Sequence, residues 1–303
     1  MTLLFTSTPE RALVWERLFA EAGEAMVVGE DAVNDPAAIS HIACWQPPKD
    51  LARYPNLKAV ISIGAGVDQM PPLPLGVALS RTIAPGIEEM VRDWVVMAAL
   101  MLHREMPRYL EQASRSQWAP HTARLARTRP IGIMGLGRIG QAVAQSLVAM
   151  GFPIAGWNRS GAPAVGIEVF GQDALAEFLA RTDLLICLLP LTAVTHGVLN
   201  AELFAGLPRG AGLIHAGRGA HLDMDALRDA LNSGRLSAAM LDVTDPEPLP
   251  ADHWAWADPR VIVTPHVASH TDAEEGARHA LAVIRASGTG RAIPGLVDPG
   301  RGY

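Results

Sequence analysis

Cysteine is scarce. The 303 residues hold only two, Cys44 and Cys187, and each sits inside an apolar run. A secreted disulfide scaffold and a cysteine-rich metal centre are excluded, and two buried thiols in a reducing compartment are expected. Charge is thin as well: 18% of residues are charged and the net charge is −6, with no long basic run. Nucleic acid and anionic membrane are therefore not expected partners. The longest apolar stretch, Leu184 to Leu191, is far short of the roughly 20 residues that span a bilayer. The N-terminus, Met1-Thr-Leu-Leu-Phe-Thr-Ser7, lacks the basic start and apolar length of a signal peptide. Low-complexity linkers and repeats of solenoid period are missing too. A cytoplasmic protein is expected.

Apolar residues, at 49%, are ample for a core, and the length exceeds one ordinary domain. Short apolar runs alternate with amphipathic stretches from end to end, which predicts an α/β protein with parallel sheets. Strand candidates in the first third are Leu3–Phe5, Ala25–Val28, Ile42–Trp45 and Leu57–Ile63. A single long helical pattern starts near Ile87 and runs through Trp94 and Met101 to Met106. After a polar, arginine-bearing stretch from Arg115 to Arg129 the alternation restarts. A run ending at Met134, then Ile154–Trp157, Leu184–Leu189, Leu213–His215, Ala238–Val243 and Val261–Thr264, make six strands. Six strands with intervening helices complete one doubly wound domain. The expected division is residues 1–97, completed by a returning segment 281–303, and residues 98–280.

Within the second domain, residues 131–140 read Ile-Gly-Ile-Met-Gly-Leu-Gly-Arg-Ile-Gly. Gly135, Gly137 and Gly140, with Leu136, Arg138 and Ile139 between them, lie where a strand turns sharply into a helix. There, backbone N–H groups and the helix N-terminus favour a pyrophosphate. In NAD-binding units a carboxylate ends the next strand, about 20 residues on, and holds the ribose 2′-OH. Here Trp157 is followed by Asn158, Arg159 and Ser160 instead. A guanidinium can pair with a 2′-phosphate that a carboxylate would repel, so NADP(H) is preferred. NAD(H), with Asn158 on the ribose and Arg159 solvated, stays open as the alternative.

Three further segments follow apolar runs and so lie at carboxyl ends of strands, where open α/β sheets place ligands. They carry Gly217-Arg218-Gly219 with Asp223, Leu241-Asp242-Val243 with Glu247-Pro-Leu-Pro250, and Thr264-Pro265-His266. With the glycine loop, and in this order, they resemble the D-isomer-specific 2-hydroxyacid dehydrogenase family. The likeness extends to Gly64-Ala65-Gly66-Val67-Asp68 in the first domain. Trp45-x-Pro47-Pro48, Trp157-x-Arg159-Ser160 and the terminal Arg301-Gly302-Tyr303 resemble its glyoxylate- and hydroxypyruvate-reducing branch.

The resemblance implies two Rossmann-like doubly wound parallel-sheet domains, an active-site cleft between them and a homodimer. It assigns His266 as general acid, Glu247 as its partner and Arg218 as the substrate clamp. Hydride addition to a ketone makes an alkoxide, so a proton donor must reach the carbonyl oxygen, and a histidine serves near neutral pH. A carboxylate behind it orients the ring, and an arginine fork holds the carboxylate of a 2-oxo acid. By the same resemblance, Asp242 would hold the nicotinamide carboxamide. Leu189, Pro190, Thr195, Ala216, Gly217 and Ala268 would line the cofactor site. Ala65, Gly66 and Val67 would turn backbone N–H groups toward the substrate carboxylate, with Trp45 beside it.

Departures from the family pattern are His215, where asparagine is frequent, Thr244, where phenylalanine is, and Met90-Val-Arg92-Asp93-Trp94 in the long helix. They leave the pocket's shape open. His215, His221 and His270 read as bystanders, and the histidines show no metal-ligand spacing, so no metal is expected. The expected reaction is NADPH-dependent reduction of a small 2-oxo acid, glyoxylate or hydroxypyruvate first. A bulkier 2-oxo acid, with Trp45, Trp254 and Trp256 shaping its pocket, is one alternative. A dinucleotide-sensing binding protein of the same fold is the other.

Overall fold

The computed structural model describes residues 1–164 and 166–298, so the terminal Arg301-Gly302-Tyr303 signature lies outside the described residues. The chain forms two compact units, Met1–Ile87 with His270–Tyr303, and Glu88–Ser269.

The first unit is built on β1 (Thr2–Thr6), α1 (Pro9–Ala22), β2 (Ala25–Val28), β3 (Ile39–Cys44), β4 (Ala59–Ser62) and β5 (Ala78–Arg81). All five strands run parallel in the order β2-β1-β3-β4-β5. The chain thus winds outward one way from β1 and the other way from β3, which is the doubly wound pattern. Central β3 and β4 are buried along their whole length, as parallel strands covered on both faces must be. Edge strand β5 was not expected. Ala78-Leu-Ser-Arg81 buries only Ser80 fully, so it presents no continuous apolar run.

Helix α2 (Pro85–His103) starts at the division, and α3 (Met106–Ser114) follows at once. The single long helix expected from periodicity is therefore two. Glu105 takes a left-handed φ of 54°, and Pro107, in the first turn of α3, cannot continue the helix before it. Arg129, at the end of the arginine-bearing stretch, is buried and donates from Nη1 to the carbonyls of Leu102 and His103. It closes the C-terminus of α2, where backbone carbonyls lack helical partners.

The second unit continues with β6 (Ile131–Met134), α4 (Arg138–Ala149), β7 (Ile154–Trp157) and β8 (Glu168–Phe170). Then come α5 (Leu175–Ala180), β9 (Leu184–Cys187), α6 (Ala201–Gly206), β10 (Ala211–His215), α7 (Met224–Asn232), β11 (Leu236–Leu241) and β12 (Val261–Val263). Its seven parallel strands are ordered β12-β11-β10-β9-β6-β7-β8. Strand order reverses between β6 and β9, and the glycine loop leaves β6 at that switch point. The three-residue edge strand β8 is the seventh, too short to register as an apolar run. The last helix, α8 (Ala273–Thr289), belongs to the first unit and packs along α1, with Ala277, Ala280 and Ile284 in one core with Trp15 and Phe19.

Candidate active site

The glycine loop has the shape its sequence demands. Gly135 has φ 102°, and a Cβ there would lie 2.7 Å from the Leu188 carbonyl oxygen. A Cβ on Gly140 would lie 2.0 Å from the Gly135 carbonyl oxygen, so only glycine lets α4 start this close to the strand end. Gly137, by contrast, faces open space, with no heavy atom within 4 Å of where its Cβ would be. This open space lies at the N-terminus of α4, a place whose N–H groups suit a phosphate.

At the end of β7, the Asn158 side chain builds a turn. Its Oδ1 accepts from Ala162 N and Ser160 Oγ, both at 3.0 Å, and its Nδ2 donates to Ala162 O at 2.9 Å. One Nδ2 hydrogen of Asn158 is left for a further acceptor, and Arg159 stands exposed at the tip of the turn. In the next loop, Thr195 Oγ1 donates to Pro190 O at 2.7 Å and accepts from Thr192 N at 2.8 Å. Thr195 therefore braces the segment that begins with Leu189 and Pro190.

Arg218, Glu247 and His266 leave the carboxyl ends of three adjacent strands, β10, β11 and β12, whose registers pair His215 with Leu241 and Leu241 with Val263. His266 Nδ1 and Glu247 Oε2 are 2.8 Å apart, and Glu247 Oε1 accepts from Thr244 N at 3.1 Å. Both side chains are partly exposed, at 37% and 39%. With Nδ1 held by the carboxylate, Nε2 is the ring nitrogen directed elsewhere. The turn at Gly219 presses against the loop that carries Glu247: a Cβ on Gly219 would lie 1.9 Å from the Thr244 carbonyl oxygen. Arg218 and Glu247 are thereby fixed relative to each other through backbone alone.

Asp242 shapes the approach to His266. It is 2% exposed; its Oδ1 accepts from Thr264 Oγ1 at 2.6 Å and Val267 N at 2.9 Å, and its Oδ2 from Ala268 N at 2.8 Å. The backbone carbonyl of Asp242 also accepts from His266 N at 2.8 Å. These bonds hold His266 at φ 52°, a left-handed conformation that costs a non-glycine residue about 1 kcal/mol or more. Three of roughly four carboxylate acceptor positions are used, all on the loop of the candidate acid.

In the first unit, Trp45 is half-exposed and covers Gly64, where a Cβ would lie 2.9 Å from the indole ring. The turn through Ala65, Gly66 and Val67 is held from below. Ser62 Oγ donates to Gly66 O at 2.8 Å, and Gln69 Nε2 reaches both Ser62 Oγ and the Trp45 carbonyl.

Two histidines read as bystanders turn out to touch the site. His215 and His221 are fully buried, and with Cys187 their ligand atoms lie within 4.8 Å of one another. Both rings bond the backbone of Arg218. The signal in sequence was their spacing, three residues to either side of Arg218, which carries no meaning until the turn at Gly219–His221 is known.

Residues 96–268 match the family model described as D-isomer specific 2-hydroxyacid dehydrogenase, NAD binding domain. Glyoxylate/hydroxypyruvate reductase A of Yersinia enterocolitica is 39% identical over 89% of this chain and 90% of its own. The protein of the same name from Salmonella paratyphi B is 35% identical over the whole of both chains. Among solved structures, a D-isomer specific 2-hydroxyacid dehydrogenase from Xanthobacter autotrophicus in complex with NADPH superimposes with a TM-score of 0.92. It is 35% identical and covers 100% of this chain and 99% of its own. The NADPH-dependent glyoxylate/hydroxypyruvate reductase of Sinorhizobium meliloti, in complex with NADP and sulfate, gives 0.91 at 34% identity over the whole of both chains. The chain belongs to the D-isomer-specific 2-hydroxyacid dehydrogenase family and is an NAD(P)-dependent oxidoreductase.

Proposed function

We propose that this enzyme reduces small 2-oxo acids, glyoxylate and hydroxypyruvate first, with NADPH as the preferred donor. The observation that carries this is the 2.8 Å contact of His266 Nδ1 with Glu247 Oε2, at the ends of the two strands that follow the Arg218 strand in the sheet. Relatives named glyoxylate/hydroxypyruvate reductase, one of them solved with NADP, and a 2-hydroxyacid dehydrogenase solved with NADPH support the same substrate class and cofactor.

A bound nicotinamide would supply the hydride; everything else falls to the chain. Arg218 holds the substrate carboxylate and draws charge toward the carbonyl oxygen. His266 donates a proton from Nε2 to that oxygen as hydride adds, which avoids a free alkoxide. Glu247 fixes the ring through Nδ1 and balances the charge on it. The glycine loop and the N-terminus of α4 receive the pyrophosphate, Arg159 pairs with the 2′-phosphate, and Asp242 has one acceptor position left for the carboxamide. The first unit supplies the substrate side, with Trp45 and the backbone N–H groups of Ala65, Gly66 and Val67. The second unit supplies the cofactor side.

A panel of 2-oxo acids, from glyoxylate to phenylpyruvate, assayed with NADPH and NADH in parallel, tests the proposal. The highest kcat/KM is expected for glyoxylate or hydroxypyruvate with NADPH. A preference for phenylpyruvate would reassign the substrate, and binding of NADPH without turnover of any acid would make the protein a dinucleotide sensor.

Arg159→Ala isolates the cofactor preference. Loss of one charge-assisted phosphate contact, about 1.5–3 kcal/mol, predicts NADPH binding weaker by roughly 10- to 100-fold. NADH binding should change by less than about twofold, since NADH has no 2′-phosphate to lose. Fluorescence titration of both nucleotides reads the difference directly, and equal weakening of the two would remove Arg159 from the phosphate.

A further inference from the structure

The chemistry above uses neither His215 nor His221, yet both are fully buried beneath the strand ends, their rings edge to face with centroids 5.6 Å apart. Arg218 N donates to His221 Nδ1 at 3.0 Å. A backbone N–H can only donate, so His221 Nδ1 carries no hydrogen, and its Nε2–H donates to Pro190 O at 3.2 Å. On the other side, His215 Nε2 lies 2.8 Å from Arg218 O, and a carbonyl can only accept, so this nitrogen carries the hydrogen. Burial, reinforced by neighbouring His221, pushes His215 down to about 3, which keeps the ring neutral. The chain makes room for the arrangement. A Cβ on Gly217 would lie 2.9 Å from His221 Nδ1, and the short turn Gly219–His221 returns His221 N to Arg218 O at 3.0 Å.

We propose that His215 and His221 are positioning residues: one ring holds the N–H of Arg218, the other its carbonyl, and together they aim the guanidinium at the substrate carboxylate. The proposal rests on Arg218 being the clamp of the preceding section. A metal held with Cys187 does not suit the same geometry. His221 has both nitrogens committed to backbone, which leaves His215 Nδ1 and the thiol, two ligands where a structural zinc takes four.

Alanine and asparagine at both positions test it, beside Arg218→Ala and the double variant His221→Ala/Arg218→Ala. KM and kcat are measured for glyoxylate and for NADPH, and thermal melting confirms folding. An asparagine at 215 can still donate to the carbonyl, and one at 221 places its Oδ1 near the position of Nδ1. A displaced guanidinium predicts that His215→Ala and His221→Ala raise the glyoxylate KM by roughly 10- to 100-fold. KM for NADPH should move by less than about twofold, and the asparagine variants should recover most of the loss. On an Arg218→Ala background, His221→Ala should add less than about threefold, because its only route to the substrate has gone. Equal rises in both KM values, full multiplication in the double variant, or folded asparagine variants as impaired as the alanines would each overturn the proposal. Parental kinetics for the histidine variants beside a crippled Arg218→Ala would overturn it while leaving the clamp intact. A parental Arg218→Ala would overturn the clamp, and the pair's purpose with it.

Discussion

Replacing His266 with alanine is expected to lower kcat for glyoxylate by about 10²- to 10⁴-fold, the usual worth of a placed general acid, with NADPH binding within about twofold of the parent. The ring touches Glu247 through one nitrogen and presents the other, so its removal deletes the proton donor. The hydrogen bonds of His266 run to Glu247, Asp242 and Thr264, none of them in the glycine loop or the Asn158 turn. Because the loss lies in chemistry, the substrate deuterium isotope effect from C4-labelled NADPH should rise as proton delivery falls out of step with hydride transfer. Glu247→Gln removes the charge and must turn its NH₂ toward either Thr244 N or His266 Nδ1, so it keeps only one of the two contacts and should fall between the two. Turnover of the alanine variant at parental rate would remove the proton-donor assignment outright.

The second large effect is expected far less obviously, at a residue that does not touch the 2-oxo acid. Asp242→Ala should lower kcat by roughly 100-fold and destabilise the fold together, since positional errors near 1 Å carry costs of that order. The carboxylate ties down Thr264 Oγ1, Val267 N and Ala268 N, and the last of these is buried. Each donor stranded out of water costs about 1–3 kcal/mol. Freed of its tether, residue 266 would relax from its left-handed backbone, carrying the imidazole off Glu247. Asparagine is no cure, because both carboxylate oxygens face backbone N–H donors and an amide must turn its NH₂ toward one of them. Chemical denaturation and single-turnover kinetics on the same preparations separate the two losses. A variant with parental stability and rate would show that the loop around His266 holds itself.

Strands that fill the middle of each sheet announce themselves as apolar runs, since a parallel strand covered on both faces has little room for polar residues. Ile42–Cys44 and Leu184–Cys187 are of this kind. Edges divide: Ala25–Val28 and Val261–Val263 read as apolar runs, whereas Ala78–Arg81 and Glu168–Phe170 are short and carry polar residues, so β5 and β8 were invisible. The division of the long helix was legible in principle at Pro107, but a periodicity that continues through Met106 outweighed it. The site divides in the same manner. Arg218, Glu247 and His266 stand at the ends of apolar runs, and that position locates them without a structure. Asn158 and the histidine pair do their work through backbone atoms a few residues away, and such contacts depend on turn geometry that no residue type declares. The bonds that tie Asn158 to Ala162 and Ser160 are of this kind.

Gly219 has a consequence for how such an enzyme can change. The obstacle facing a Cβ there is a main-chain carbonyl, Thr244 O, which no mutation elsewhere can shrink. Most tight positions can be eased by trimming a neighbour; this one cannot. Diversification of substrate range must therefore bypass the junction between the arginine turn and the glutamate loop, and proceed through side chains such as Trp45 that have room to be exchanged. A library built across the site would meet a main-chain wall at Gly219, as at Gly135 and Gly140, and find room at exposed side chains such as Trp45.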